Sequence, residues 1–337
     1  MTLKLSILDQ SLIGPGETAE QALRNTIEIA KLADRLGYHR FWVSEHHDSD
    51  QLAGSSPEVL ISHLAANTSR IRLGSGGVML QHYSPYKVAE NFNLLSALAP
   101  GRIDLGIGRA PGGLPNSTKA LQRGVTEPLS LGEKLEELEQ FLYGTLPEEH
   151  PLAGIRVTPK PAISPELYQL GASAASAELA AELGRPYVFA LFINSDLAVA
   201  EQAIRTYREK FNPAKGTSPH VLLAVSVLVA ETDEEAAELA EELKIVKIRL
   251  ESGRTVTVGT LEQAAEFVRQ ANESYEIDVK DADVAKGTKE TVRARLLELQ
   301  SRLGIDEIIA TTPIKDFGLR KRSIELLHEA FAPIRQA

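Results

Sequence analysis

The feature that most constrains this chain is an alternation. Short β-branched runs are followed, again and again, by amphipathic helical stretches. Runs at 3–9, 40–46, 71–80, 102–110, 166–171, 187–192, 220–230 and 307–313 read as strands. They are apolar throughout, as expected of strands covered on both faces. Stretches at 18–37, 56–69, 84–101, 131–144, 173–184, 196–211, 233–251, 290–304 and 319–332 read as helices. Some carry terminal signals: Thr18 with Gln21 three residues on, Gly37 as a stop, and Pro57 in the first turn behind Ser56. Eight β–α steps predict an α/β chain folded as a closed (β/α)8 TIM barrel, with a doubly wound open sheet as the alternative. The 337 residues fit one such domain, 1–337. The rhythm loosens twice. Residues 111–130 read as a long Pro- and Gly-rich loop, and 252–290 as a polar stretch with one short helix. These are expected loop insertions after strands four and seven. Five prolines between 145 and 166 mark a further excursion outside the core.

Composition narrows the function classes. The absence of cysteine excludes disulfides, thiolate catalysis and zinc–thiolate or iron–sulfur sites. A formal net charge of −10 argues against nucleic acid or an anionic membrane as the main partner. No secretory leader is visible, and the longest apolar run, 221–230, falls short of the ~20 residues that span a bilayer. The expectation is a soluble cytoplasmic protein.

Three places carry chemistry. "FWVSEHHDSD" (41–50) places Glu45, His46 and His47 where the second strand ends, the end at which barrel enzymes gather catalytic groups. Metal ligation by both histidines is disfavoured, because adjacent strand residues point to opposite faces. A histidine in acid/base or hydrogen-bonding work fits better, against the plain alternative of a polar loop. "LGSGGVML" (73–80) puts Gly74, Gly76 and Gly77 inside a strand, which signals either a bulge or close approach of backbone to a ligand. The third place is a two-part anion site. Arg109 ends strand four in "GIGRAPGG", and "LGASAASAEL" offers Ser173 and Ser176 at a helix start. Free N–H groups there favour phosphate, although such serines also serve as simple caps.

The stretches "GYHRFWVSEHH", "IRLGSGGVMLQHYSPYKVAENFNLLSALAPGRIDLGIGRAPG" and "GASAASAELAAELGRPYVFALF" together resemble the bacterial luciferase-like flavin monooxygenase family. The resemblance covers most of 3–112 and 166–232, and "LGIDEIIATTP" fits it as well. It implies a (β/α)8 barrel, reduced FMN supplied by a separate flavin reductase, and oxygenation of a small organic substrate by dioxygen through a flavin C4a-peroxide. It implies His46 as the catalytic histidine and a non-prolyl cis peptide at Gly76–Gly77 against which the flavin packs. It also implies Arg109, Ser173 and Ser176 at the phosphate, with Lys119 as a second basic position. Two departures stand out: Ala172 where some relatives carry glutamate, and lysine instead of arginine at 119. Relatives commonly form homodimers, for which helix 84–98 is a natural surface. Three alternatives remain open at this point: a non-catalytic flavin-binding barrel, a deazaflavin-dependent oxidoreductase on the same fold, and a phosphate-sugar isomerase or aldolase using Glu45.

Overall fold

The computed structural model describes residues 3–332, apart from 127, 128, 254 and 272. The first half runs β1 (Lys4–Asp9), α1 (Ala19–Leu36), β2 (Arg40–Val43), α2 (Pro57–Asn67), β3 (Arg72–Met79), α3 (Pro85–Leu98), β4 (Ile103–Gly108), α4 (Pro115–Leu121) and α5 (Leu131–Tyr143). It continues with β5 (Glu166–Gly171), α6 (Ala174–Glu182), β6 (Tyr187–Ala190), α7 (Leu197–Lys210), β7 (Val221–Val229) and α8 (Asp233–Ala240). Then come β8 (Lys244–Leu250), β9 (Thr255–Val258), α9 (Leu261–Ala271), β10 (Tyr275–Asp281) and β11 (Ala285–Gly287). The last elements are α10 (Lys289–Leu303), β12 (Glu307–Thr311) and α11 (Phe317–Phe331).

Strands β1 to β7 and β12 pair in parallel, and β12 closes the ring between β7 and β1. The closed barrel is therefore the fold, and the open sheet is excluded. The two-residue alternation of strand side chains builds two cores. Ile7, Phe41, Leu73, Leu105, Phe189, Leu223 and Ile308 face the helices. Leu8, Trp42, Tyr168, Val188, Leu222, Ala224 and Ile309 fill the interior. The predicted ends of α1 hold: Thr18 accepts from the Gln21 N–H at 3.3 Å, and Gly37 takes a left-handed φ of 83°.

The barrel floor, at the N-terminal ends of the strands, is polar and sealed. Arg40 is 2% exposed, yet every guanidinium nitrogen has a partner. Nε and Nη2 donate to Glu307 at 2.6 and 3.0 Å, while Nη1 donates to Asp104 at 2.8 Å and to the Tyr168 hydroxyl at 2.9 Å. Trp42 Nε1 and Arg72 also donate to Asp104. Burial works against the Arg40 charge, but the Asp104 and Glu307 carboxylates outweigh it and hold its pKa above the ordinary arginine value.

Two expectations need correction. The helix predicted over 233–251 stops at Ala240, and 244–250 is a strand instead. Val246, Ile248 and Leu250 are buried at every second position while Lys247 and Arg249 lie between them, which is a strand period and not a helical one. The polar stretch 252–290 is likewise more than loop. β8, β9 and β10 form a separate antiparallel sheet, and α9 covers its apolar face through Ala264 and Phe267. Alternating charges on the exposed β10 hid it from a search for apolar runs. The insertion after strand four similarly contains α4 inside the predicted loop. Among the described residues no helix is long and apolar enough to cross a membrane.

Candidate active site

The C-terminal ends of β2, β3, β4 and β5 stand side by side and form the part of the mouth to which the predicted residues belong. Val43 pairs with Ser75, so the run from Ser44 to His46 stands beside Gly76–Val78. Glu45 is 1% exposed and locks this corner: its carboxylate accepts from the Met79 N–H (3.1 Å) and the Tyr83 hydroxyl (2.8 Å), and its Oε1 lies 2.8 Å from His47 Nε2. Held this way, Glu45 is not available as a strand-end base, which removes the isomerase or aldolase reading. His47 is an anchor too. Its N–H donates to the Gly112 carbonyl at 2.7 Å and pins the loop after β4.

His46 points elsewhere. Its Nδ1 shares a 3.0 Å hydrogen bond with Ser44 Oγ, and its N–H donates to the Gly54 carbonyl at 2.8 Å. Nε2 has no partner among the described residues. Burial lowers its pKa to about 4, and the nearby Glu45 charge offsets only part of this. The ring is therefore neutral at pH 7, with one nitrogen left to donate or accept as its tautomer dictates.

The expected non-prolyl cis peptide is present between Gly76 and Gly77. β3 also shifts register against β4 between Gly76 and Val78, so the bulge is real. Packing explains the glycines there. A Cβ on Gly74 would lie 2.7 Å from Trp42 Nε1, and one on Gly77 would lie 2.6 Å from the Gly106 carbonyl oxygen. A Cβ on Gly76 would meet Leu8 at 2.7 Å. Larger side chains at 74 and 76 would displace the barrel's inner layer, and one at 77 would push β3 from β4.

β4 then delivers Arg109. Ile107 pairs with Gln169, which sets Arg109 level with Gly171, two residues before Ser173. The guanidinium is exposed and has neither hydrogen bond nor ion pair among the described residues. Ser173 caps α6 by accepting from the Ser176 N–H (3.3 Å), and Ser176 Oγ bonds Tyr187 Oη at 2.9 Å. The serines thus do serve as a cap. Beyond that cap, the first-turn N–H groups of Ala174 and Ala175 have no partner among the described residues, on the helix that follows the strand paired with β4. Lys119 sits exposed in the last turn of α4. Sequence reasoning missed the anchors Ser44, Tyr83 and Tyr187, because a single hydroxyl in a loop or strand leaves no periodic signal.

α4 also meets the insertion after β7. Leu114 joins the apolar cluster of Val246, Ile248 and Phe267, and the Asn116 N–H donates to Gln270 Oε1 at 2.9 Å. The two expected insertions therefore touch one another on the C-terminal side of the barrel.

A closed parallel barrel gathers its functional groups at the C-terminal ends of its strands, where His46, Arg109 and the start of α6 all stand. The chain belongs to the luciferase-like monooxygenase family, whose model matches residues 3–307, and is a flavin-dependent monooxygenase. It is 47% identical to the N-acetyl-S-alkylcysteine monooxygenase of Bacillus subtilis (strain 168), over 97% of this chain and 98% of that one. Among solved structures, apo-MsnO8 is 38% identical and superposes with a TM-score of 0.79, over 98% of both chains. The oxygenating constituent of 3,6-diketocamphane monooxygenase, solved in complex with FMN, shares the fold at 20% identity and a TM-score of 0.72, over 98% of both chains.

Proposed function

We propose that the protein is the oxygenase half of a two-component system: it takes reduced FMN from a separate flavin reductase and oxygenates a small N-acylated, thioether-bearing amino acid. The observation that carries the cofactor choice is that Arg109, exposed and without a partner among the described residues, and the open N-terminus of α6 follow neighbouring strand ends. A phosphate needs both a charge-assisted donor and free N–H groups, and FMN carries one. The substrate class follows from the 47% identity to an enzyme named for N-acetyl-S-alkylcysteine.

In this reading Arg109, the first-turn N–H groups of α6, Ser173 and Ser176 hold the phosphate, with Lys119 adding charge from α4. The Gly76–Gly77 segment, kept free of side chains, would support the flavin ring. When bound, the reduced flavin supplies the electrons that divide dioxygen between product and water. His46 presents Nε2 to the reacting region as a neutral hydrogen-bonding group, oriented by Ser44 while Glu45 and His47 fix the backbone on either side. α4 and the insertion exclude water from above. Exposed Val59 on α2 and Leu94 and Leu98 on α3 form an apolar face that suits a homodimer.

A spectral titration with FMN, oxidised and photoreduced, tests the cofactor. Oxygen uptake with a flavin reductase, NADH and N-acetyl-S-methylcysteine tests the reaction. Tight binding of a deazaflavin with no response to FMN would overturn the cofactor assignment. Flavin reoxidation unaffected by the thioether would overturn the substrate class.

A further inference from the structure

Of the buried side chains with unbonded polar atoms among the described residues, which include Asn93, Ser96 and Arg185, one stands out as a guanidinium with all three nitrogens unbonded. Arg320, in the first turn of α11, is 1% exposed, and none of its three guanidinium nitrogens has a hydrogen-bond partner among the described residues. The Phe317 ring lies 5.8 Å from the guanidinium carbon, a favourable but weak contact. A buried, unpaired guanidinium opposes folding, because its lost hydration is not replaced. Arg40 shows the contrast, since it is equally buried and each of its guanidinium nitrogens is bonded.

The position of Arg320 is informative. Three residues further along α11, Ser323 Oγ accepts from the N–H of Val229, the last residue of β7, at 2.8 Å. Arg320 therefore sits one helical turn closer to the mouth than the end of β7. Helical side chains lean toward the helix N-terminus, so the guanidinium leans toward the rim between β7 and β12. Leu228 and Ala230 at the end of β7, and Ile314 in the loop before α11, pack with Leu243 and Val284 of the insertion.

We infer that Arg320 is the recognition residue for the substrate's carboxylate, reached when the insertion after β7 lifts from the rim. The inference rests on the substrate class proposed above, and the chemistry fits it. A planar guanidinium fork pairs two-pronged with a carboxylate, and the N-acyl group removes the ammonium that would repel it. The missing partner is then the ligand, and the strain of the unpaired charge is relieved on binding.

The test uses the full chain, its Arg320→Met and Arg320→Lys variants, N-acetyl-S-methylcysteine and its methyl ester. Thermal midpoints are measured without flavin, with and without each compound, and KM and kcat are measured with FMN and a reductase. The acid should raise the wild-type midpoint and the ester should not. Arg320→Met should raise KM for the acid roughly 10–100-fold, the worth of a charged hydrogen-bonded pair, and lose the acid's midpoint shift. The effect on the ester should be far smaller, the loss should fall in KM more than in kcat, and Arg320→Lys should recover part of it. The unliganded midpoint of Arg320→Met should equal or exceed wild type. Acid binding unchanged in Arg320→Met overturns the assignment. Should that variant not fold, wild-type protein holding ester as tightly as acid overturns it equally. Either result leaves the substrate reading intact, whereas a wild type indifferent to both compounds ends that reading and this one together.

Discussion

The two ends of the barrel use the same side chains in opposite ways. At the floor, Arg40 is buried and each of its guanidinium nitrogens is engaged by Glu307, Asp104 or Tyr168. Toward the mouth, and among the described residues, Arg109 is exposed and unbonded, His46 keeps one nitrogen open, and Arg320 near the end of β7 is buried and unbonded. The floor network closes on itself and offers nothing to a ligand. The mouth is left incomplete, so binding can complete it. Satisfied polar groups specify a structure, whereas unsatisfied ones mark where the structure expects something else.

Removing a partner at the floor should have the largest effect on folding. Arg40→Met leaves Asp104 and Glu307 buried without their counter-charge and should lower unfolding stability by about 3–5 kcal/mol. Urea denaturation at pH 7 measures it, and a loss under ~1 kcal/mol would mean the network is ornamental to stability. The next effect, at the mouth, depends on pH. His46 has a folded pKa of about 4 against an ordinary 6.5, so the unfolded chain takes up the proton first as pH falls. The associated stability is complete above pH 6.5 and is lost as pH drops toward 4, by about 3 kcal/mol in all. His46→Asn should flatten that window, read as the difference in urea midpoint between pH 7 and pH 5. The acid limb of turnover should lie below pH 6. At neutral pH, His46→Ala should lose about 10²–10⁴-fold in turnover while still binding FMN.

The floor and the mouth were unequally legible in the sequence. The barrel itself was plain, because eight apolar runs at strand spacing leave little choice. The positions of His46 and Arg109 at strand ends, of Gly76 and Gly77 inside a strand, and of Ser173 and Ser176 at a helix start were equally readable, since order along the chain fixes which end of a barrel strand a residue occupies. The floor network was invisible. Arg40, Asp104 and Glu307 are far apart in sequence, and each looks like an ordinary charge flanking a strand until the ring closes. The insertion was half legible: α9 shows a helical stripe, but β10 has charges at alternate positions and little burial, so nothing in its pattern stands out from a polar loop. Arg320 gave no sign, because a lone arginine on an amphipathic helix is ordinarily solvated. Only its burial without partners distinguishes it.

The smaller effects probe the open end and should leave the floor untouched. Arg109→Ala removes an exposed side chain with no partner among the described residues, so stability should stay within about 0.5 kcal/mol of wild type. FMN affinity should weaken by about 1.5–3 kcal/mol, as for loss of a charged hydrogen bond, and a fluorescence titration reads it directly. Undiminished affinity would place the phosphate elsewhere. Lys119→Ala should matter less, by about 0.5–1 kcal/mol in FMN affinity, because an exposed ammonium on α4 acts mainly through screened charge. Ionic strength separates the two. The Lys119 contribution should fade between low salt and 0.5 M salt, while that of Arg109, reinforced by the α6 N–H groups, should largely persist. Equal salt sensitivity at both positions would mean that Arg109 also acts only as a distant charge, and the division of labour between a built cradle and a general field would not hold.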